Sequence, residues 1–208
     1  MIVTRIQQLN KTRYRIYIDD RSFCVLYKSE LAAYGIVEGE SITEETCELI
    51  KTEVLTKRAR LRAMNLLMKH SFTERKLREK LIEGGYPDEI IDDALQYVIG
   101  YGYVDDRAFA RDYITSHNQD KSIRRMVSDL TAKGVSRDII DDVLTSIDGT
   151  ADAVDEEEQI RRLLTKRRLD ISDPSPEQLG KIYSYLTGHG YSAETIRKVL
   201  RNAPEEIS

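Results

Sequence analysis

The feature that most limits the possible folds of this chain is a repeat of about fifty residues. Glycines that end helical segments stand at Gly85, Gly134 and Gly190, at separations of 49 and 56 residues. Residues 85–95 and 134–144 share the pattern Gly-x-x-x-x-Ile-Ile-Asp-Asp-x-Leu. Self-similarity at a nearly fixed period is typical of a fold built from small repeated units.

Each repeat contains three amphipathic segments, separated by capping and stop residues. The predicted N-caps of the second helices are Thr73, Ser122 and Ser175, whose side-chain oxygens can accept from free backbone N–H groups. The greater length of the third repeat is assigned to a loop at 170–176. One such unit buries little apolar surface alone, so neighbouring units should bury their apolar surfaces against each other. We predict a mainly α fold with three tandem three-helix repeats in an elongated array.

Residues 1–42 differ from the repeats, because β-branched and aromatic residues alternate there. The segment Asp-Asp-Arg-Ser at 19–22 is typical of a hairpin turn, and Ser29 is the predicted cap of a short helix that ends at Gly35. A three-stranded sheet is marginally stable alone, so it should pack on the helices behind it. Three strands are predicted, at 2–6, 14–18 and 23–27.

From Thr43 onward the pattern is helical, with a cap at Thr43, acidic residues in the first turn and a break near Thr56. The predicted segments are a small β-rich N-terminal segment (1–42), repeat 1 with its lead-in helix (43–106), repeat 2 (107–150) and repeat 3 (151–208).

The junction between repeats 1 and 2 reads as a helix stop, a short link and a helix start. Gly102 can take the left-handed conformation that ends a helix, and Asp105 can cap the next one. The negative charge of Asp106 suits the positive end of the new helix dipole. The residues that define this structural motif are Gly102, Tyr103, Asp105, Asp106, Phe109 and Ala110.

Charged residues are segregated along the chain, although the net charge is only −4. Residues 58–80 contain eight Lys or Arg and two acidic residues, whereas residues 81–106 contain seven acidic residues and no Lys or Arg. Residues 159–168 contain five basic residues and no acidic one. If the repeats stack in register, one edge is positive and suits a phosphate backbone or an acidic protein surface. The alternative is a solvated face with ion pairs between neighbouring helices.

The sequence contains no recognisable catalytic or metal-binding constellation. Asp105-Asp106 is better explained as helix capping than as a reactive carboxylate pair, because no base or third ligand stands nearby. His70, His117 and His189 each stand near a helix end, which favours interaction with the helix dipole over a metal site. Phosphate-cradling glycine loops, nucleophile elbows and HExxH pairs are absent. We expect a non-enzymatic protein without a metal or cofactor.

The two cysteines and the N-terminus favour a cytoplasmic protein. Cys24 and Cys47 lack metal-ligand spacing, and Cys24 lies in an apolar run, so a reduced compartment is the simplest expectation. Residues 1–9 lack the basic and apolar blocks of a secretory signal, and no apolar run approaches the roughly 18 residues of a membrane span.

Tyrosine is the main aromatic residue, with 12 copies and no Trp. Such rings can stack on nucleobases. Core packing or contacts between repeats are the preferred interpretation for Tyr101, Tyr103, Tyr113, Tyr183, Tyr185 and Tyr191.

The stretch Gly102-Tyr103-Val104-Asp105-Asp106-Arg107-Ala108-Phe109-Ala110 resembles the Gly-Tyr-hydrophobic-Asp-Asp-x-x-Phe-Ala motif of the RecX family of bacterial recombination regulators. Residues 71–81 and 122–134 are similar to that family's repeat cores, and the resemblance covers about residues 58–203. The β-rich start is similar, more loosely, to an extension that some members carry. Three positions depart mildly from the pattern. Ser122 stands where a small residue, often Gly, is expected, Asp129 replaces the usual Glu, and His70 stands near an expected basic position.

The resemblance implies a protein that binds the RecA recombinase filament on single-stranded DNA. Family members limit RecA's strand exchange, ATP hydrolysis and coprotease action by blocking filament growth or promoting disassembly, which places them in DNA repair and the SOS response. The resemblance also implies that the three repeats form a curved array that lies along the filament groove. Contact with single-stranded or duplex DNA is compatible with this role, and we expect a monomer with no membrane association.

The basic residues of the three repeats supply the predicted contact surface for RecA or DNA. Arg58, Arg62 and Lys69 fall on one helical stripe of repeat 1. The full candidate set is Arg58, Arg62, Lys69, Arg107, Arg111, Arg124, Arg125, Arg161, Arg162, Lys166 and Arg168.

Two other functions fit the repeat pattern. A direct DNA-binding protein made of tandem helix-turn-helix-like units is the main alternative, although no helix clusters Arg, Asn and Gln to read base edges. A general helical scaffold is the second alternative, and it predicts a partner unrelated to recombination.

Overall fold

The structure is a computed structural model that describes residues 1–150, 153–169 and 174–201. Most of the predicted loop at 170–176 lies outside the described residues. The chain divides into two compact units, an N-terminal unit that ends at Asp105 and a C-terminal unit that begins at Asp106.

The N-terminal segment forms a three-stranded antiparallel sheet in the order β1-β2-β3. The strands are β1 (Val3–Gln8), β2 (Arg13–Ile18) and β3 (Arg21–Tyr27). Asp19 and Asp20 connect β2 to β3 with φ angles of 47° and 62°. Two successive positive φ angles are typical of the tight two-residue turn that matches strand twist. The predicted strands and hairpin turn are confirmed.

The short helix after the sheet begins two residues earlier than predicted. Helix α1 covers Lys28–Ala33 with Tyr27 as its N-cap, so the prediction that Ser29 caps this helix is wrong. The Glu30 carboxylate accepts from the Tyr27 backbone N–H at 2.7 Å, because its longer side chain can reach back to the cap. Gly35 follows the helix in the left-handed conformation, with a φ of 60°.

The lead-in helix changes type instead of breaking. Helix α2 (Glu44–Leu49) is capped by Thr43, whose hydroxyl accepts from the Thr46 N–H at 3.1 Å. A π-helical segment (Ile50–Thr56) then leads directly into α3 (Lys57–Leu67). The wider turns of this segment explain the disturbed helical period near Thr56.

The three repeats begin with α3 and continue as predicted from caps and stop glycines. The stop glycines Gly85, Gly134 and Gly190 have φ angles of 81°, 102° and 92°. The remaining helices are α4 (Glu74–Gly84), α5 (Asp88–Gly100), α6 (Asp106–His117), α7 (Ile123–Lys133), α8 (Arg137–Ile147), α9 (Glu156–Lys166), α10 (Pro176–Gly188) and α11 (Ala193–Arg201).

The sheet and repeat 1 share one hydrophobic core, as the marginal stability of a small sheet predicts. Ile16 and Leu26 of the sheet belong to the same buried cluster as Leu77 and Leu81 of α4. Val25 lies directly against Gly85, so a side chain at this glycine would collide with the sheet. Repeats 2 and 3 each have a separate buried cluster.

Within the C-terminal unit, a buried glutamine joins repeats 2 and 3. Gln159 is only 3% exposed, and its amide nitrogen donates to the carbonyls of Asn118 at 2.5 Å and Lys121 at 3.1 Å. Its amide oxygen accepts from the Tyr191 hydroxyl at 3.0 Å. The Ser122 hydroxyl donates to the His189 carbonyl at 2.9 Å. These bonds satisfy polar groups that would otherwise be buried without partners.

Candidate interaction surface

Equivalent positions of the three repeats are identified by their buried residues. Ala63, Ala110 and Ile160 occupy the same buried position of the first helices α3, α6 and α9. Three residues before them, the first helices carry Arg60, Arg107 and Glu157. At the matching position, the third helices carry Asp93, Asp142 and Lys198.

These equivalent positions form one ion pair in each repeat. Arg60 makes two hydrogen bonds to Asp93, at 2.7 and 2.8 Å, and Arg107 lies 2.7 Å from Asp142. In repeat 3 the signs are reversed, since Glu157 on α9 pairs with Lys198 on α11. Part of the charge segregation therefore connects the first and third helices of a repeat, which is the alternative considered for the charged faces.

One candidate, Arg58, is used inside the N-terminal unit. Its guanidinium donates to both oxygens of Glu30, at 2.8 and 2.9 Å, and to the Val25 carbonyl at 2.5 Å. It also lies 5.0 Å from the ring centre of Tyr27 and 5.6 Å from that of Tyr86. With a side chain only 20% exposed, Arg58 connects α3 to the sheet.

Several other candidates are exposed or partly exposed but paired locally. Arg111 donates to the Ser146 hydroxyl at 2.8 Å, and Arg125 lies 3.5 Å from Asp129. Arg161 lies 3.6 Å from Glu157, and Arg162 donates to Glu158 at 2.9 Å. Exposed pairs of this kind contribute about 0–1 kcal/mol, so a partner can replace them at low cost.

Five candidates have no ion-pair or hydrogen-bond partner for their side chains among the described residues. All five are exposed and lie on or next to the first or second helix of a repeat. They are Arg62, Lys69, Arg124, Lys166 and Arg168.

Two of these free cations flank apolar residues that the charge pattern did not single out. Leu61 and Met68 are 61% and 81% exposed, and each directly precedes a free cation, Arg62 or Lys69. A separation of seven residues places Leu61 and Met68 on one face of α3. The sequence could have identified these two apolar residues as exposed, because they fall outside the buried helical stripe that contains Ala59 and Ala63.

The junction motif ends one helix and supplies core residues to the next. Gly102 has a φ of 72° and its N–H donates to the Ile99 carbonyl at 2.8 Å. Ala110 is buried in the core of repeat 2, with Phe109 packed against that core. Asp105 immediately precedes α6, and Asp106 is its first residue. The capping role of Asp105 stays a prediction.

Core packing, one of the two roles expected for the junction tyrosines, is wrong for Tyr101 and Tyr103, and contacts between repeats stay a prediction for them. Tyr101 and Tyr103 are 65% and 53% exposed, and their rings stack with centres 6.1 Å apart. The helix ends before both residues, so its buried face does not include them. Tyr191, in contrast, is 2% exposed and lies in the core of repeat 3.

The remaining polar groups give no reactive site within the described ranges. His117 and His189 each place Nδ1 2.8 Å from the carbonyl oxygen four residues earlier. Burial raises the pKa of the Cys24 thiol to about 12, so this buried thiol is a poor nucleophile. No group of three His, Cys, Asp or Glu in the described part is placed to hold a metal ion. None of its helices is both long and apolar enough to cross a bilayer.

The nine repeat helices coincide with three family models. Residues 59–97, 105–144 and 155–200 match the first, second and third three-helix domains of RecX. The chain belongs to the RecX family. The regulatory protein RecX of Caldanaerobacter subterraneus is 30% identical over 202 residues, which cover 96% of this chain and 98% of that protein.

Further RecX relatives match along nearly the whole chain. The regulatory protein RecX of Clostridioides difficile is 28% identical and covers 96% of this chain and 94% of its own length. A crystal structure of regulatory protein RecX superposes with a TM-score of 0.62 at 26% identity, covering 95% of this chain and 98% of that one. RecX from Lactobacillus salivarius shares the fold, with a TM-score of 0.59 at 17% identity, over 72% of this chain and 96% of its own.

Proposed function

We propose that this protein regulates homologous recombination by binding the RecA filament on single-stranded DNA. Binding inhibits filament growth and, with it, strand exchange, ATP hydrolysis and coprotease action. Membership of the RecX family along almost the full chain carries this proposal, because the relatives are named regulatory proteins. Three-helix domains without a reactive site among the described residues suit a protein that acts by binding.

The five free cations are the preferred contacts with the filament. A cation without a partner among the described residues can neutralise a phosphate or a carboxylate of another molecule without first breaking one of the described ion pairs. The other candidates except Arg58 are exposed or, for Arg161, partly exposed, and they belong to the wider proposed surface. The partial burial of Arg58 gives it a structural role first.

The outer face of α3 favours contact with a protein. The exposed side chains of Leu61 and Met68 would gain little from a phosphate backbone, whereas a protein surface can bury them. Arg62 and Lys69 beside them suit an acidic rim on that surface. We assign this face, defined by these four residues, to RecA, and the free cations of repeats 2 and 3 to DNA phosphates.

The helix-turn-helix alternative is weakened by the charge of the third helices of repeats 1 and 2. Helix α5 carries Asp88, Glu89, Asp92 and Asp93, and α8 carries three aspartates. A helix that reads a DNA groove lies next to two rows of phosphates, which would repel this many carboxylates.

Charge reversal on the outer face of α3 tests the proposal. The double variant Arg62→Glu, Lys69→Glu should lose most of its inhibition of RecA's DNA-dependent ATP hydrolysis and keep its helical circular-dichroism signal. A matched control is Lys11→Glu, Lys28→Glu, which changes the charge equally at two exposed residues of the same unit. Equal inhibition by both double variants would show that this face does not contact RecA.

A further inference from the structure

Repeat 3 contains a cleft whose lining includes Arg168, one of the free cations assigned above to DNA phosphates, together with residues that have no assigned role. It lies where α9 ends, against α10, and has a volume of about 430 Å³. This falls in the range of about 300–1,000 Å³ that is usual for small-molecule sites. We call it the third-repeat cleft. The residues that line it include Arg167, Arg168, Leu169, Lys181, Ile182 and Tyr185.

The rim of the third-repeat cleft is cationic. Arg167, Arg168 and Lys181 line it, and Lys166 is adjacent in sequence. Among the described residues, Lys181 is paired with Glu177 at 2.8 Å, where both side chains are at least 75% exposed, so water weakens this pair. An anion that enters the cleft therefore meets several positive charges.

One wall of the cleft is aromatic and apolar. The guanidinium carbon of Arg167 lies 4.7 Å from the ring centre of Tyr185, and the His189 ring centre lies 4.2 Å from it. Ile182, one helical turn before Tyr185, also lines the cleft but is only 4% exposed, so it offers little surface of its own. A guanidinium over a tyrosine ring suits a flat heterocyclic ring, which can stack on either group.

Arg168 occupies a backbone position that normally favours glycine. Its φ is 53°, and it ends α9 with its N–H donating to the Thr165 carbonyl at 2.9 Å, while the Leu169 N–H donates to Leu164 at 3.0 Å. This is the Schellman pattern, in which the left-handed residue is usually glycine. The stop positions Gly85, Gly134 and Gly190 follow that preference. An arginine at such a position is a locally unfavourable choice that places a cation at the cleft.

We propose that the third-repeat cleft binds one nucleotide of a single-stranded nucleic acid. The cations of the rim bind its phosphate, and the wall formed by Tyr185 and the Arg167 guanidinium over it packs against its base. The basic residues Arg162 and Lys166 lie four residues apart on α9 and extend the positive surface beyond the cleft. A continuing strand would use that extension, whereas a free nucleotide would not.

The inference rests on the proposed function only in taking the filament's single-stranded DNA as the strand. An acidic peptide would satisfy the cations but would not require a surface for a flat ring. The aromatic wall therefore favours a nucleotide over a run of carboxylates.

The test is fluorescence anisotropy of a labelled fifteen-residue oligothymidylate with the full chain and no RecA present. A second probe is an abasic oligomer of the same length and charge. We expect tighter binding to the oligothymidylate, because the abasic strand offers phosphates but no bases. Thymidine monophosphate serves as the competitor that represents a free nucleotide, and polyglutamate represents an acidic peptide.

Arg168→Gly separates the role of the side chain from that of the backbone. Glycine suits a φ of 53°, so the variant should unfold at the same temperature as the wild type or higher. Its affinity for the oligothymidylate should fall about three- to tenfold, and the slope of log affinity against log salt should fall by about one. The matched control, Lys11→Gln, removes one exposed charge in the N-terminal unit and should leave the affinity unchanged.

Tyr185→Leu tests the contact with the base. It should lower the affinity for the oligothymidylate about tenfold, a change of about 1.4 kcal/mol, and leave the affinity for the abasic strand unchanged. Circular dichroism checks the fold, and Tyr185→Phe, which keeps the ring, should bind as the wild type does.

Several results would overturn the inference. The first is no binding of the oligothymidylate, and the second is wild-type affinity in both Arg168→Gly and Tyr185→Leu. The third is that polyglutamate or thymidine monophosphate displaces the labelled strand at a lower concentration, counted per negative charge, than unlabelled oligothymidylate does. RecA is absent from this assay, so these results leave the inhibition of RecA to be judged by its own ATPase measurement.

Discussion

At the scale of single residues, Asp129 is the clearest case of a side chain fixed by its neighbours. The Lys121 ammonium lies 2.9 Å from its carboxylate, and the Tyr113 hydroxyl donates to it at 2.8 Å. The hydrogen bond from Lys121, and then that from Tyr113, lower the pKa of Asp129. The side chain is 23% exposed, so solvent moderates this stabilisation.

The sign of this pKa shift gives a prediction about stability. A carboxylate whose pKa is lower in the folded state stabilises the protein above its unfolded pKa of about 3.9 and loses that effect as the pH falls through the folded value. Asp129→Asn should therefore lower the free energy of unfolding by about 1 kcal/mol at pH 7. Urea titrations should show the difference from wild type shrinking at pH 3. The same difference at both pH values would contradict this account.

Residue identity alone did not reveal the role of Arg58. Its charge and helical position match those of Arg62, which is exposed, and the two were therefore predicted together. Its partners Glu30 and Val25 lie 28 and 33 residues away in the chain. Only the packing of the sheet against α3 brings them together, and no local pattern indicates that packing.

At the scale of helices and strands, the ends of the elements were predictable because their signals are local. Thr73 accepts from an N–H three residues ahead, and Gly85 takes the left-handed conformation at the end of the same helix. Of the two exceptions, one has a local cause and the other has no local signal. The Glu30 side chain shifts the start of α1 away from Ser29, and the π-helical segment (Ile50–Thr56) has no distinctive residue pattern.

The ion pairs between first and third helices predict that the positive and negative residues of a pair can be exchanged between the two helices without loss of stability. Arg107→Asp alone places two carboxylates together and should lower the free energy of unfolding by about 0.5–1 kcal/mol. The swap Arg107→Asp, Asp142→Arg restores opposite charges, as repeat 3 does naturally with Glu157 and Lys198. Urea midpoints of the three proteins measure this. A swap that is no more stable than the single variant would show that the pair contributes nothing.

At the scale of the whole molecule, the repeat period and the junction motif were sufficient to predict three three-helix units and the family. Both depend on residues close together in the chain. The third-repeat cleft was not predicted, because it combines the end of α9 with the face of α10. The charge pattern marked Lys166 and Arg168, but the pairing of cations with Tyr185 exists only in the fold.

The central claim is that this protein acts on the RecA filament. The most direct measurement is RecA's single-stranded-DNA-dependent ATP hydrolysis with this protein added well below the RecA concentration, at two salt concentrations. Inhibition at a low ratio is expected, because one bound molecule can stop growth at a filament end. Weaker inhibition at the higher salt is expected from the free cations. No effect on ATP hydrolysis at any ratio would contradict the account.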